Sequence, residues 1–312
     1  MSPTPDMLFI VGAGRSGTNL LSRMLEYAGG FSDLSENRYV WNYRQSRRRT
    51  DRRLPDEATE AITAYIRAHF AAMARRHPST LVDKTPGNAL RLGFVTRIFP
   101  EAKIVNIVRD GRANVLSRGA LWDEEGLFGG GDKPGMLTRY ARRIRRMRRL
   151  GNLPADRVPA FLADNVPALI TDTLLRRATL SGERVAGLRE VERLHGPRIA
   201  RAVQWREVAT MAACEGRALG STRYHEISFE TLLRQPAESA EALFAFLGRD
   251  GGARAGAYLA DKLDPGRLDN WKTRDPEAIA EIEPYLTPAL AYFGYTSNEA
   301  SDPVPSHQKA PS

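Results

Sequence analysis

What this chain lacks narrows its function before any motif is read. It has one cysteine, Cys214, in 312 residues. That excludes an intramolecular disulfide framework and any cysteine-based zinc site; Cys214 itself reads as a small buried hydrophobe inside a helix. No apolar run approaches the roughly 18 residues needed to span a membrane. Residues 1–6 carry no basic segment, and Met7 to Val11 is too short for a signal-sequence core. The expectation is a cytoplasmic protein with no membrane span. Lysine is also scarce, at six of the 46 basic residues. The arginine excess, with a net charge of +9, fits a GC-rich bacterial genome. Arginines cluster at Arg47 to Arg53 and again at Arg142, Arg143, Arg145, Arg146, Arg148 and Arg149. The second cluster reads as a solvated helix face, because aromatic residues are sparse and no nucleic-acid module surrounds it. No nucleic-acid partner is expected.

The most telling absence is a lysine. Residues 7–20 run Met-Leu-Phe-Ile-Val-Gly-Ala-Gly-Arg-Ser-Gly-Thr-Asn-Leu, an apolar strand entering a Gly/Ser/Thr turn ahead of a helix. Such a turn aims backbone N–H groups and a helix N-terminus at one point, which suits a phosphate. Gly12 and Gly17 have the spacing of a nucleoside-triphosphatase loop. Thr18 and Asn19, however, stand where that loop needs Lys and Ser/Thr for the β/γ-phosphates and magnesium. The cation has moved to Arg15. A nucleotide handled without a metal is the reading that fits.

Periodicity gives the surrounding architecture. Leu8–Val11, Thr80–Asp83, Lys103–Val108 and Thr222–Ile227 read as strands. Helices fit residues 18–27, 56–76, 88–99, 111–122, 237–247 and 276–293. Strands alternating with helices through short connections predict an α/β fold of P-loop type, three layers around a central parallel sheet. Residues 120–220 form a large helical insertion, an acceptor or lid region. Breaks fall at Gly151–Pro154, Pro167, Gly182 and Gly196-Pro197, and a Gly-rich loop spans 124–135. One domain over 1–297 and a disordered tail over 298–312 are expected.

A second segment belongs with the first loop. Residues 104–118, Ile-Val-Asn-Ile-Val-Arg-Asp-Gly-Arg-Ala-Asn-Val-Leu-Ser-Arg, place Arg109 at a strand's C-terminal end and Ser117 two turns into the next helix. Ligands of open α/β sheets lie beyond those strand ends. Arg109 is therefore expected in the crevice of the Arg15 loop, where a guanidinium can hold a second phosphate bidentately.

Together, Gly14-Arg15-Ser16-Gly17-Thr18-Asn19-Leu20-Leu21 and the Ile107-Val108-Arg109-Asp110-x-Arg112-x-x-Val115-x-Ser117 run resemble the two signatures of sulfotransferases that use 3′-phosphoadenosine 5′-phosphosulfate (PAPS). The resemblance covers most of 7–295. It implies that Gly14, Arg15, Ser16, Gly17, Thr18 and Asn19 cradle the 5′-phosphosulfate, while Arg109 and Ser117 bind the 3′-phosphate. The run from Ile227 to Pro236 is similar to a Tyr-Glu-Asp-Leu segment of the family, with Phe229 at the position of an adenine-contacting tyrosine; Tyr224 is an alternative. Gly266-Arg267-Leu268-Asp269-Asn270-Trp271-Lys272 resembles the loop that closes over the 3′-phosphate, through Arg267 or else Lys262 or Lys272. No metal is implied. A sulfuryl group carries fewer negative oxygens than a γ-phosphoryl, so positioning and cationic groups such as Arg15 can suffice.

The acceptor, a hydroxyl or amine on a carbohydrate, peptide, lipid or small molecule, needs a base. Asp83-Lys84-Thr85-Pro86 lacks the histidine that cytosolic members place after Lys-Thr. His69 and His77 read as surface residues of a helix. Leu34-Ser-Glu-Asn-Arg38 resembles the Glu-containing segment of tyrosylprotein and carbohydrate sulfotransferases. That likeness implies Glu36 as base, Arg38 as its helper, and Lys84 reaching the transferring group; Asp83 is the reserve base.

Three other readings compete. Gly12-x-Gly14-x-x-Gly17 also satisfies a dinucleotide fingerprint, but residues 29–36 do not read as the apolar strand ending in an acid that this needs, and Arg109 and Ser117 go unexplained. A P-loop kinase lacks its Lys-Ser/Thr pair. A non-catalytic nucleotide-binding module would bind PAPS without transferring sulfate.

Overall fold

The computed structural model describes residues 5–45, 49–124, 136–163 and 182–295. Its centre is a five-stranded, all-parallel sheet ordered β2-β3-β1-β4-β5, from Met7–Val11 (β1), Phe31–Asp33 (β2), Thr80–Asp83 (β3), Lys103–Val108 (β4) and Tyr224–Ser228 (β5). Helices flank it, giving the expected α/β architecture. β1 is in the middle, and the chain leaves it first toward β2 and β3, then crosses to β4. That reversal opens a crevice at the C-terminal strand ends.

Both faces of β1 are covered, which is why its five residues are all apolar and buried. Phe9 and Val11 face a core with Trp41, Phe70, Phe94, Phe99 and Trp205. This core is capped by helices Glu60–Ala74 (α3) and Leu92–Ile98 (α4) and by the long helix Leu188–Arg217. Leu8 and Ile10 face the other core, built with Leu21, Met24 and Leu25 of helix Thr18–Ala28 (α1) and with Leu243, Phe244 and Leu259. Side chains alternating along one strand thus stitch two cores together.

Most predicted elements stand within a few residues of their expected bounds, and the exceptions have local causes. β2 was not expected. It is three residues long, two of them polar, and is held by pairing with β3 from Phe31↔Thr80 to Asp33↔Val82. The 88–99 helix is split into a 3-10 turn, Pro86–Leu90, and α4, with Arg91 between them in a non-helical backbone at φ −155°. Leu188–Arg217 breaks at Gly196, φ 85°, ahead of Pro197, as the sequence implied. Cys214 lies on a helix as expected but is exposed, not buried. The buried stripe of that helix is Trp205, Val208, Ala209, Ala212, Ala213 and Gly216, and position 214 falls off it. His69 is half-buried rather than on the surface, edge-on to Phe70 at 5.2 Å. Arg142, Arg145, Arg146, Arg148 and Arg149 are exposed on helix Met136–Arg149, the solvated face that was expected. Residues 125–135 of the Gly-rich loop, Pro167 and the 298–312 tail lie outside the described residues. No helix among the described residues is long and apolar enough to cross a membrane.

Candidate active site

Every strand ends in a sequence-predicted site residue, because all five run the same way. The loop after β1 carries Gly14–Asn19, β2 leads to Glu36 and Arg38, β3 to Lys84, β4 to Arg109, and β5 to Phe229.

The β1 loop depends on backbone conformations that glycine permits. Gly12 (φ 146°) and Gly17 (φ 108°) have positive φ, and a Cβ on Gly17 would come within 2.9 Å of both Ile107 and Phe229. Arg15 also sits in the left-handed region at φ 73°, a conformation costing a non-glycine residue about 1–3 kcal/mol. The turn closes through Ser16 N–H donating to the Ala13 carbonyl at 3.0 Å. At α1 the N-cap is Gly17, which brings no side-chain acceptor, and the first turn has no acidic residue. A helix start of this kind favours an anionic ligand. Ser16 is buried, whereas Arg15 and Asn19 are exposed.

Arg109 joins that loop directly. Its Nη1 donates to the Arg15 carbonyl at 3.2 Å, and its guanidinium lies 4.8 Å over the Phe229 ring. Burial lowers the Arg109 pKa from its ordinary value, Glu230 opposes the shift and Arg15 adds to it. A bound anion would relieve the repulsion that Arg15 exerts on Arg109. Beneath them, Glu230 accepts from Asp110 N–H (3.0 Å), Ser228 Oγ (3.0 Å) and Tyr295 Oη (2.7 Å), tying the ends of β4 and β5 together. Ser117 is half-buried on helix Gly111–Glu124 (α5), which starts directly after Arg109-Asp110.

The β2 and β3 ends are zipped to each other. Lys84 N–H donates to Ser35 O at 3.2 Å, Asn37 N–H to Thr85 Oγ1 at 2.8 Å, and Lys84 Nζ pairs with Asp33 Oδ2 at 3.0 Å. Exposed Glu36 is carried between these anchors. Arg38 opens a short helix, Arg38–Trp41 (α2), and its Nη2 lies 3.5 Å from Asp51 Oδ2. Asp51 is a hub that sequence reasoning missed. It also pairs with Arg184 Nε at 2.8 Å and accepts from Arg184 N–H at 2.9 Å. Burial works to raise the Asp51 pKa, but the guanidiniums of Arg38, Arg91 and Arg184 overcome it and leave the carboxyl below its usual range.

Several of the alternatives are engaged by other groups. Asp83, the reserve base, is fully buried and accepts from Asn37 Nδ2, Trp41 Nε1, Asn88 Nδ2 and Thr85 N–H. Burial raises its pKa, yet with those four donors around it the carboxyl is a structural node. The Tyr224 hydroxyl is engaged by Asn106 and Glu226. Lys262 is exposed and pairs with Asp261 at 2.8 Å, and Lys272 pairs with Asp269 at 3.0 Å. Arg267 is in the 3-10 turn Pro265–Arg267, and its side chain lies outside the described residues. That segment is tethered nearby through Trp271, on which the Arg112 guanidinium stacks at 4.9 Å. Asp33, one of the two acids at the distance a dinucleotide site needs, is occupied too, by Ser22 (3.0 Å), Ser35 N–H (2.7 Å) and Lys84.

Unanticipated contributors also reach the loop from α5. Asn114 Nδ2 donates to Gly14 O at 3.0 Å and to Ser16 Oγ at 3.1 Å, and Arg118 Nε donates to Gly14 O at 3.1 Å. Positions 114 and 118 are one turn apart on one helix face, a spacing that the sequence displays.

Known proteins resemble this chain in sequence and in shape. A provisionally named protein-tyrosine sulfotransferase of Caenorhabditis briggsae is 27% identical over 160 residues, which is 47% of this chain and 55% of that protein. The match therefore spans about half the length of that relative. A sulfotransferase structure from Mycobacterium avium superposes with a TM-score of 0.53 at 15% identity, covering 94% of this chain and 78% of the other, a likeness of fold. The sulfotransferase family model matches residues 5–159, a span that holds the β1 loop, the Glu36–Arg38 segment, Lys84, Arg109 and Ser117, and by that match the chain belongs to the sulfotransferase family.

Proposed function

We propose that this protein transfers a sulfuryl group from PAPS to a hydroxyl or amine acceptor without a metal. The observation that carries the reading is the Arg109 hydrogen bond to the Arg15 carbonyl. It brings the β1 loop and the end of β4, 94 residues apart in sequence, into one crevice, which supports a nucleotide with phosphates at both 5′ and 3′ positions. Gly14–Asn19 would receive the 5′-phosphosulfate on backbone N–H groups and the α1 N-terminus. Arg109 and Ser117 would hold the 3′-phosphate, Phe229 would stack on adenine, and Arg267 would close over the 3′ side. Arg15 would meet the charge that grows on the leaving 5′-phosphate.

On the acceptor side, Glu36 would take the proton as the acceptor's oxygen or nitrogen attacks sulfur. The bond from sulfur to the 5′-phosphate oxygen then breaks, and adenosine 3′,5′-bisphosphate (PAP) leaves. Glu36 is exposed where a substrate can reach it, whereas Asp83 is sealed. Lys84 would neutralise the sulfuryl oxygens, and Arg38 would orient the acceptor or the base. The test is calorimetry with PAP. Micromolar binding that does not require magnesium, lost in Arg109→Ala, is expected. A preference for ATP or NAD would overturn the assignment.

A further inference from the structure

Gly14, next to Arg15, has both of its backbone groups held from outside the loop. Its N–H donates to Glu183 Oε1 at 2.6 Å. Its carbonyl accepts from Arg118 Nε and Asn114 Nδ2. The two charged partners are themselves buried, Glu183 at 2% and Arg118 at 6% exposure, and they pair at 3.0 Å through Arg118 Nη2 and Glu183 Oε2. Gln204 closes the ring: its Oε1 accepts from Arg118 Nη1 at 2.6 Å and its Nε2 donates to Glu183 O at 2.7 Å.

A buried carboxylate beside an anion-binding loop carries the wrong sign for the ligand and a desolvation cost as well. What it supplies here is direction. The Gly14–Arg15 peptide is held through the Gly14 carbonyl by Arg118, and the Arg15–Ser16 peptide through the Arg15 carbonyl by Arg109. With both flanking peptides fixed by guanidiniums, Arg15 is kept at φ 73° and its side chain leaves the loop in a set direction. Glu183 holds Arg118 in place and neutralises it, so the clamp adds little net charge.

The clamp extends one residue further. Arg184 grips Asp51 with its backbone N–H and Nε, while Asp51 N–H donates to Arg184 O at 2.8 Å and the Asp51 carboxylate meets Arg38. Two consecutive residues of the helical region thus touch the β1 loop on one side and the Arg38 segment on the other.

We infer that Glu183 and Arg118 are positioning residues that set the β1 loop for a 5′-phosphate, with Glu183-Arg184 as a strap registering Arg15 against Arg38. This rests on the PAPS reading. The test compares two probes, PAP and 3′-AMP, which differ only in the 5′-phosphate. In Glu183→Gln and Arg118→Gln, PAP affinity should fall about tenfold or more while 3′-AMP affinity stays within about twofold. Glu183→Leu, which leaves no oxygen for the Gly14 N–H, should lose more than Glu183→Gln. General loosening of the fold would instead weaken both ligands alike. A PAP-to-3′-AMP affinity ratio unchanged in both glutamine variants, with wild type binding PAP, overturns the clamp alone. Wild-type protein that ignores PAP overturns the donor reading itself, and the clamp with it.

Discussion

The β1 loop and the β2–α2 side of the crevice obtain positive potential by different means. The loop is made of main chain: glycines at positive φ, an uncapped helix start, and one exposed guanidinium at Arg15. The β2–α2 side is built on a buried carboxylate, Asp51, with the buried Arg91 and the half-buried Arg38 and Arg184 ranged around it. Arg91 is fully buried, donates to Asn42 Oδ1 at 2.6 Å and Asn88 Oδ1 at 2.9 Å, and burial lowers its pKa to about 10. A main-chain cradle cannot be deleted with one side chain, but a single Cβ can block it. A charge cluster does not mind a Cβ, yet losing one partner strands the others in low dielectric. Function and stability should therefore separate between the two sides.

The largest expected effect is on turnover and comes from the β2–α2 side. Glu36→Gln should slow sulfate transfer by roughly 10²–10⁴-fold, the usual contribution of a positioned base, while PAP affinity stays as in wild type. Labelled sulfate, followed from PAPS to any hydroxyl or amine acceptor that the wild type accepts, measures it. Undiminished transfer would remove Glu36 from the chemistry and leave the base to be sought elsewhere in the crevice.

The next contrast sets stability against binding. Asp51→Ala leaves three guanidiniums facing one another, and breaking a buried pair in this way costs about 3–5 kcal/mol. Urea midpoints should show it. Gly17→Ala should do the reverse. It forces a Cβ to 2.9 Å from Ile107 and Phe229, and PAP binding should be abolished at a smaller loss of stability, about 1–3 kcal/mol for the strained backbone. If Asp51→Ala folds normally, or Gly17→Ala still binds PAP, the division between the two sides is wrong.

Acid should then find the β2–α2 side through His69 rather than Asp51. His69 packs on Phe70, which packs on Trp41. Burial lowers the His69 pKa to about 4, Asp156 opposing. A histidine depressed in the folded state takes up its proton more readily when unfolded. Its contribution is therefore complete above pH ~6.5 and is lost as pH falls toward 4, up to roughly 3 kcal/mol in all. Asp51, with its pKa lowered from the ordinary carboxylate value, loses its contribution as pH falls through and below the free carboxylate range, later than His69 does. Asp83 and Glu230, raised by burial, push the opposite way, so the informative quantity is a difference. His69→Leu should flatten the fall in unfolding free energy between pH 6.5 and 4 relative to wild type. Identical slopes would assign the acid response to other groups.

How much of this could be read in advance follows from the same division. The loop was legible because Gly12–Asn19 is contiguous and its lone-pair and N–H geometry follows from residue type. Strand and helix positions were legible for the same local reason. β2 was not, since Phe31–Asp33 has no apolar run and exists only through its pairing with β3. The Asp51 and Glu183 contacts join residues 133 and 169 positions apart, and nothing in the local pattern encodes them. Two misreadings were avoidable. The 3.6-residue stripe of Leu188–Arg217 excludes Cys214, and on α3 the buried set Ile62, Ile66, Phe70 and Met73 puts His69 at its edge.

The smallest effect tests whether the loop side relies on main chain alone. Phe229 touches both the β4 end and the β1 loop: its ring lies beneath the Arg109 guanidinium and against the site of Gly17. Phe229→Leu keeps apolar bulk there but removes the π face. Cation–π contacts of this exposure contribute about 0.5–1 kcal/mol, and base stacking on an aromatic ring roughly 1–3; leucine retains part of the latter through packing. PAP should therefore bind about fivefold more weakly, near 1 kcal/mol, with 3′-AMP and 5′-AMP weakened by the same factor because adenine is common to both. A loss confined to 3′-phosphate ligands would instead mean that Phe229 acts only by steadying Arg109. In that case the loop side too would depend on a side-chain pair, here a half-buried one, and the contrast with Asp51 would be one of degree.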